Sequence, residues 1–584
     1  LWLQRFRVIS QVNPVKFKES TTLEGKPSEW TGQDLYLCQA KIQNIDDTII
    51  QTQQEKQIRS MKSILSVMDR GRKMEMRKAM LLLFLVVTLI LSACSTKPLL
   101  HPARPVVWPT QGWQKSAPEE QGFDSDKLAT ALQTIQRNNI NIHSLMIIRN
   151  DKVILDAYFY PYDGKTVHEL ASVTKSVLTT VVGIAADQGK LRLGSPMVSF
   201  FRDRKIANSS ILKSLITVGD LASMSSGLDC TSDNEEQTMN EMGQSPDWVQ
   251  FTIDLKAVYI PGRHYEYCSP GMHVLSAIIQ EATGISTSEF ARENLFEPLG
   301  ISDFIWEEDP QGYSDGWAGL YLHPRDLAKI GYLMLHQGQW DGRQIVSSKW
   351  VEEASKLQKK TGQGSDYGYG WWIPKPAQFV EFVADGRGGQ YIHVIPALNM
   401  VIVTTGGGFD WNEIVPLILP AMVDTANSLP ANQTGVDHLN VALAAIALPT
   451  APKTVTPLPE LAETISGRTY AFEFSPLDIK TLQLEFKSPT EAHLIATFYN
   501  QPDEDLFIPL NGVYRMYPIG EHGLPMGLRG AWIDSQTFLF EYDEIANREA
   551  YSLKITFKGD QVSIHAQERT HVAGLDLVGT LQSP

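Results

Sequence analysis

The sequence predicts a mixed α/β domain whose sheet is assembled from both of its ends around a helical insert, followed by a separate all-β domain. Three observations carry this. Short β-branched runs bracket the first domain, at 143–160 and again at 379–407. The stretch between them, from about 196 to 350, reads mostly as helices and loops. Beyond residue 466, alternating apolar and polar runs separated by turn residues take over. A chain of 584 residues is also too long for a single compact core.

In chain order, the first landmark is "MRKAMLLLFLVVTLILSACS". Arg77 and Lys78 precede an apolar run from 79 to 91, which ends in Leu91-Ser92-Ala93-Cys94. The run is shorter than the roughly 20 residues a membrane-spanning helix needs. Residues 74–94 are therefore expected to be a secretory signal. The "LSAC" ending resembles a bacterial lipobox, which makes Cys94 the expected lipidation site and places the protein outside the cytoplasmic membrane, tethered to a membrane in the cell envelope. Residues 1–73 are expected to be a mis-called upstream stretch, or else a disordered cytoplasmic extension, in either case outside the fold. Residues 95–116, rich in Pro, read as a tether.

"HSLMIIRNDKVILDAYFY" (143–160) holds two apolar runs around Arg-Asn-Asp-Lys, a hairpin signal. A helical pattern runs from 169 to 190 and closes at Gly189; further helices are expected over 271–283 and 325–338. "FVEFVADG", "QYIHVIPA" and "NMVIVTTGG" restore strand character. The first domain thus spans 117–425. Residues 426–465, rich in Ala, Pro and Thr, read as a linker with at most a short helix, and 466–584 as the β domain, with strands such as "LQLEF", "AHLIATFY", "TFLFEY" and "YSLKITF".

Charge narrows the function. Residues 94–584 carry 37 Lys and Arg against 57 Asp and Glu, a net of −20, which repels phosphate backbones and argues against a nucleic-acid partner. The 13 His are scattered, with no HExxH and no Cys/His cluster at zinc-ligand spacing, so no metal and no cofactor are expected.

Two Ser-x-x-Lys matches are present, Ser172/Lys175 and Ser210/Lys213. On a helix, residues three apart share a face, so a lysine can meet the serine hydroxyl across one turn. A serine hydroxyl is a weak nucleophile, and an adjacent amine that takes its proton activates it toward an acyl carbon. Ser172 stands at the N-terminal edge of the apolar run "VLTTVVGIAA", where free backbone N–H groups favour developing negative charge. Ser210 follows a charged, loop-like stretch. A literal Ser232-Asp233-Asn234 precedes the polar "EEQTMNEMGQS", with no apolar helix to hold it. "YEYCSPGMHVLSAIIQEATG" does better, because Tyr267-Cys268-Ser269 runs straight into an apolar helix. A phenol beside a lysine makes a proton relay.

Together with "ITVGDLASMSSGLDC", "FEPLGI", "PRDLAKIGYLMLHQGQWDGRQIVSSKWV", "YGYGWW" and "GRGGQYIHVIPALNMVIV", these stretches resemble the serine hydrolases related to class C β-lactamases. That family includes penicillin-binding peptidases, esterases and aminohexanoate-oligomer hydrolases. The resemblance runs from about 112 to 407 and implies a β-lactamase/transpeptidase-like fold, with an antiparallel sheet and a helical subdomain. It implies Ser172 as nucleophile, Lys175 as base, and Tyr267 with Ser269 as the Tyr-x-Asn motif, Ser replacing Asn. The Lys-Thr-Gly strand falls on Ala384-Asp385-Gly386, followed by Arg387, whose backbone N–H and that of Ser172 would hold the oxyanion. Without that lysine the usual partner of a β-lactam carboxylate is missing.

The expected activity is therefore acyl transfer on an ester or amide, with a small-molecule or peptide substrate. The alternatives are a D-amino-acid peptidase of penicillin-binding type, and a catalytically silent binding protein of the cell envelope. In an exported protein Cys230 and Cys268 can pair as a disulfide.

Overall fold

The computed structural model describes residue 106 and residues 108–582, apart from 231–234, 376–378, 450, 476, 501, 549 and 570–573. The readings made for residues 1–94, Cys94 among them, for most of the tether and for Ser232-Asp233-Asn234 lie outside the described residues. Among the described residues no helix is long and apolar enough to cross a membrane.

Strands β1 (Ile142–Arg149) and β2 (Lys152–Tyr158) form the hairpin expected at 143–160. Its turn residues Asn150 and Asp151 have φ of 47° and 67°, a backbone that Asn and Asp tolerate better than most side chains. A small sheet follows, of β3 (His168–Glu169), β4 (Phe304–Trp306) and β5 (Leu320–Leu322), ordered β3-β5-β4. A short hairpin, β6 (Gln339–Trp340) and β7 (Arg343–Gln344), stands apart. The remaining strands of the domain are β8 (Lys359–Lys360), β9 (Ser365–Tyr367), β10 (Trp372–Pro374), β11 (Phe382–Gly386), β12 (Gln390–Ile395) and β13 (Met400–Gly406). The main sheet runs β2-β1-β13-β12-β11-β10-β9-β8 and is antiparallel throughout. The pairing of β1 with β13 is where the two ends of the domain meet.

Helices cover both faces of this sheet. On one face α1 (Ser125–Arg137) shares a core with two helices near the end of the domain. Asp124 caps α1 by accepting from the Lys127 amide. Leu128, Leu132 and Ile135 pack with Ile147, Leu155 and Ile402 of the sheet. The other face takes α2 (Val173–Asp187), α3 (Ser269–Thr283) farther out, and α4 (Pro324–Leu335). A Cβ at Gly331 of α4 would stand 2.6 Å from Ile392 and 2.7 Å from Val401, so the glycine lets the helix lie close on β12 and β13. Helix α2 is buried nearly all round, as its almost uninterrupted apolar sequence requires. The first face is completed by α5 (Trp411–Ile418) and α6 (Gln433–Ile446).

Two sequence readings need correction. The linker at 426–465 holds α6, a 14-residue helix. Leu439, Ala442 and Ile446 recur at helical spacing and join the α1 core, which the Ala-rich composition masked. The tether at 95–116 ends earlier than expected: Trp108 packs edge-on against Tyr332 at 5.7 Å. The Val153 amide donates to the Gln114 carbonyl at 2.8 Å, so 108–116 is part of the domain.

The C-terminal domain is a ten-stranded antiparallel sheet between Thr469 and Leu581, ordered 4-3-2-1-10-9-8-7-6-5. First and last strands pair, so only strands four and five remain to close it. The Tyr517 hydroxyl links those two through the Phe507 amide and carbonyl. Its interior is filled by side chains including Leu484, Phe538, Phe540, Tyr542 and Ile555, a packed core.

Candidate active site

Ser172 lies where β3 turns into α2. The Leu170 amide donates to the Leu320 carbonyl of β5 at 2.9 Å. Ala171 then takes φ +47°, a left-handed backbone that costs a non-glycine residue about 1 kcal/mol or more. This bend places Ser172 directly before the first residue of α2, with the Lys175 amide donating to the Ser172 carbonyl at 3.0 Å.

Lys175 is 1% exposed. Its Nζ donates to Ser172 Oγ at 2.8 Å and to the Trp317 carbonyl at 2.9 Å. The same nitrogen lies 5.0 Å from the centre of the Tyr267 ring and 5.9 Å from that of Trp317. The Tyr267 ring is itself held, stacked on Trp372 at 5.8 Å and edge-on to Tyr367 at 6.4 Å. Ser269, buried, opens α3 immediately after Cys268. Cys268 is joined to Cys230 as a disulfide with 5.6 Å between Cα atoms.

Strand β11 abuts the segment that precedes Ser172. A Cβ at Gly386 would stand 2.6 Å from the Leu170 carbonyl oxygen and 3.2 Å from the Ala171 Cβ. Gly386 therefore presses on the two residues before Ser172. By alternation Ala384 faces the same way and Asp385 the other, which leaves no amine on this face where the related motif carries lysine. Arg387 begins the turn to β12, completed by Gly388 and Gly389 at φ +89° and +97°. Gln390 braces that turn, donating to the Gly406 carbonyl at 2.6 Å and accepting from its amide at 3.1 Å.

The structure thus brings Ser172, Lys175 and Tyr267 together, with Gly386 against the two residues before Ser172; Ser269 lies two residues beyond Tyr267 and Arg387 one beyond Gly386. Ser210 and Lys213 have a different fate. Ser210 caps a five-residue helix, Ile211–Leu215, accepting from the Lys213 amide. Lys213 Nζ donates to the Ala207 and Ile253 carbonyls at 2.7 and 2.8 Å. Among the described residues no cluster of His, Cys, Asp and Glu suits a metal ion.

Sequence reasoning missed Trp317, which acts through a backbone carbonyl and so leaves no trace in residue type. It also missed the device that holds Trp317. The Trp317 amide donates to Asp315 Oδ1 at 3.0 Å, and His273 of α3 lies between Asp315 and Asp309. Burial opposes the charge on His273, but the two carboxylates outweigh it and raise its pKa.

His168, four residues before Ser172, forms a buried pair with His143. His168 Nδ1 donates to the Glu169 carbonyl at 2.7 Å, so its Nε2 is the acceptor for His143 Nδ1 at 2.9 Å. Burial and the Arg569 charge lower the His143 pKa to about 3; burial, then His143, push that of His168 well down. Both are depressed from an ordinary 6.5, so their neutral forms support the fold fully above about pH 6.5. That support drains away as pH falls toward 3. Urea midpoints measured from pH 7 to pH 4 are expected to fall steadily, and a His143→Gln/His168→Gln double variant to flatten the slope; an equally steep slope in that variant would exclude the pair as its source.

A family model described as Beta-lactamase matches residues 131–426. The 6-aminohexanoate-dimer hydrolase of Paenarthrobacter ureafaciens is 26% identical over 258 residues, 41% of this chain and 63% of that protein. Penicillin-binding protein 4 of Amycolatopsis lactamdurans is 23% identical over 287 residues, 41% of this chain and 73% of its own length. Among solved structures, the octameric penicillin-binding protein homologue from Pyrococcus abyssi is 16% identical, covers 77% of this chain and 98% of its own, and has a TM-score of 0.39. The chain thus spans just under two thirds of the first of these relatives.

Proposed function

The chain belongs to the beta-lactamase family, and from that premise we propose that it is a serine hydrolase working through an acyl-enzyme on an ester or amide. The observation that carries the reading is the buried Lys175 Nζ, 2.8 Å from Ser172 Oγ and anchored on the Trp317 carbonyl. In its neutral form the amine takes the hydroxyl proton as Oγ attacks the carbonyl carbon. The oxyanion that forms is met by the backbone N–H groups of Ser172 and Arg387. Tyr267, with Lys175, returns the proton to the leaving group, and the pair later draws a proton from the water that releases the acyl group. Every step is proton transfer or acyl transfer, and the residues named supply it without a cofactor.

Ala384 favours uncharged acyl substrates over those that end in a carboxylate, since its face of β11 offers no ammonium to pair with one. This sets esters and amides ahead of D-amino-acid peptides and β-lactams.

The test is the intact mass of the 95–584 chain after exposure to a fluorophosphonate. One adduct is expected, and Ser172→Ala is expected to abolish it; an unmodified, folded parent protein would point instead to a silent binding role. The proposal includes a lipid anchor on Cys94, supported by the "LSAC" sequence. Full-length chain grown with labelled palmitate is expected to take up label, and Cys94→Ser to take up none.

A further inference from the structure

The β domain touches the site. Between its seventh strand (Thr537–Glu544) and eighth (Ala550–Lys558), residues 545–548 are buried rather than exposed. Turns usually lie in solvent, because their polar groups need water. Here Glu544, Asn547 and Arg548 are each 5% exposed or less, and Arg548 finds its partner across the domain boundary.

The Glu169 amide donates to the Ala546 carbonyl at 2.9 Å. Arg548 Nη1 donates to Glu169 Oε2 at 2.7 Å, with both side chains almost wholly out of water. The other Glu169 oxygen accepts from the Gly319 amide at 3.3 Å. The turn is held from its own side, where Asn547 bonds Glu544 and the Arg548 amide. Ile545 and Ala546 pack on Tyr162 of the first domain. The Arg548 side chain also lies against the β11–β12 turn, since a Cβ at Gly388 would stand 2.8 Å from its Cβ.

A second contact lands on the same small sheet. His522 Nε2 meets Glu307 Oε1 at 3.1 Å, and its ring lies edge-on to Tyr321 of β5 at 5.2 Å. Tyr321 donates to the same carboxylate oxygen at 3.1 Å. The Glu307 amide in turn donates to the Gly319 carbonyl at 2.8 Å.

All these contacts converge on the backbone that sets the reacting groups. Glu169 is three residues before Ser172. Gly319 is two residues after Trp317, whose carbonyl holds Lys175. A spacer would not need a buried ion pair, whose desolvation must be offset by good geometry.

We infer that Arg548 is a positioning residue for Ser172: with His522 as a second contact, it makes the C-terminal β domain a working part of the active site. The inference rests on the reading of Ser172 as nucleophile. Arg548 acts through Glu169, by fixing the strand end from which Ser172 is presented, and through Gly388, by backing the turn that carries Arg387. A displacement of about 1 Å at such a site costs on the order of 100-fold in rate.

The test compares the full chain with Arg548→Gln, Arg548→Lys and His522→Ala, each well below its melting temperature. It reads the fluorophosphonate labelling rate, and kcat and KM on a short-chain p-nitrophenyl ester. Arg548→Gln is expected to lower labelling and kcat about 100-fold with KM within threefold, the split that a misplaced nucleophile gives. Arg548→Lys, which keeps the charge, is expected to recover about tenfold of that loss. His522→Ala, at a partly exposed side chain, is expected to slow labelling about threefold. An Arg548→Gln rate within twofold of the parent overturns the inference, whatever its melting temperature. Should Arg548→Gln fail to fold, His522→Ala decides, and an unchanged labelling rate there overturns it. A folded parent that never labels would bring down the nucleophile reading first, and this inference with it.

Discussion

Lys175→Met is expected to lower the rate of Ser172 acylation about 1000-fold, in the range that loss of a general base gives, while the melting temperature shifts by only a few degrees. The two readouts separate because different terms control them. The rate depends on an amine 2.8 Å from Ser172 Oγ, and a thioether cannot accept the hydroxyl proton. Stability feels two opposing changes. The Trp317 carbonyl loses its donor, worth about 1–3 kcal/mol. Against that, an amine no longer has to be buried at 1% exposure, and burying a polar group costs more than burying an apolar one of similar size. Labelling kinetics with a fluorophosphonate, beside a thermal melt, check both. A Met variant that labels at the parent rate would remove Lys175 from the chemistry altogether.

Gly386→Ala is the second large effect expected. Its new methyl group would meet the Leu170 carbonyl oxygen at 2.6 Å and the Ala171 Cβ at 3.2 Å. The first contact is with backbone, which cannot rotate aside, so β11 or the Leu170–Ala171 segment must move. Overpacking of this kind costs about 1–3 kcal/mol. The displacement falls on the residues that aim Ser172 and on the strand end that carries the Arg387 amide, so kcat is expected to drop by about 100-fold or more. Gly364→Ala makes the control, since a Cβ there meets nothing within 4 Å. Steady-state kinetics on the two variants check the claim, and equal activities would mean that β11 does not bound the site.

Much of the fold is legible in the sequence because it depends on local pattern. The β1–β2 hairpin announces itself through two apolar runs around Asn150-Asp151, and helix α3 through an apolar run closed by Gly284, which takes the expected positive φ of 82°. Helix α6 was hidden because Ala and Thr carry little periodic contrast. Its identity depends on Leu439 and Ile446 finding the α1 core. The same limit applied at Trp108, whose aromatic partners lie more than 200 residues away.

What the sequence by itself determined is the pairing of Ser172 with Lys175. The two sit within one turn of chain, so spacing at the start of one helix sets the relation. Tertiary structure alone decided the rest. It turned Lys213 toward backbone carbonyls while Lys175 faces Ser172. It also brought Trp317 to Lys175, Gly386 to the segment before Ser172, and Arg548 to Glu169. Arg548 stands 379 residues from Glu169, and no local periodicity connects them. Only the packing of one domain's turn against another's small sheet, driven by apolar burial at Ile545 and Tyr162 and completed by a buried charge pair, makes them neighbours.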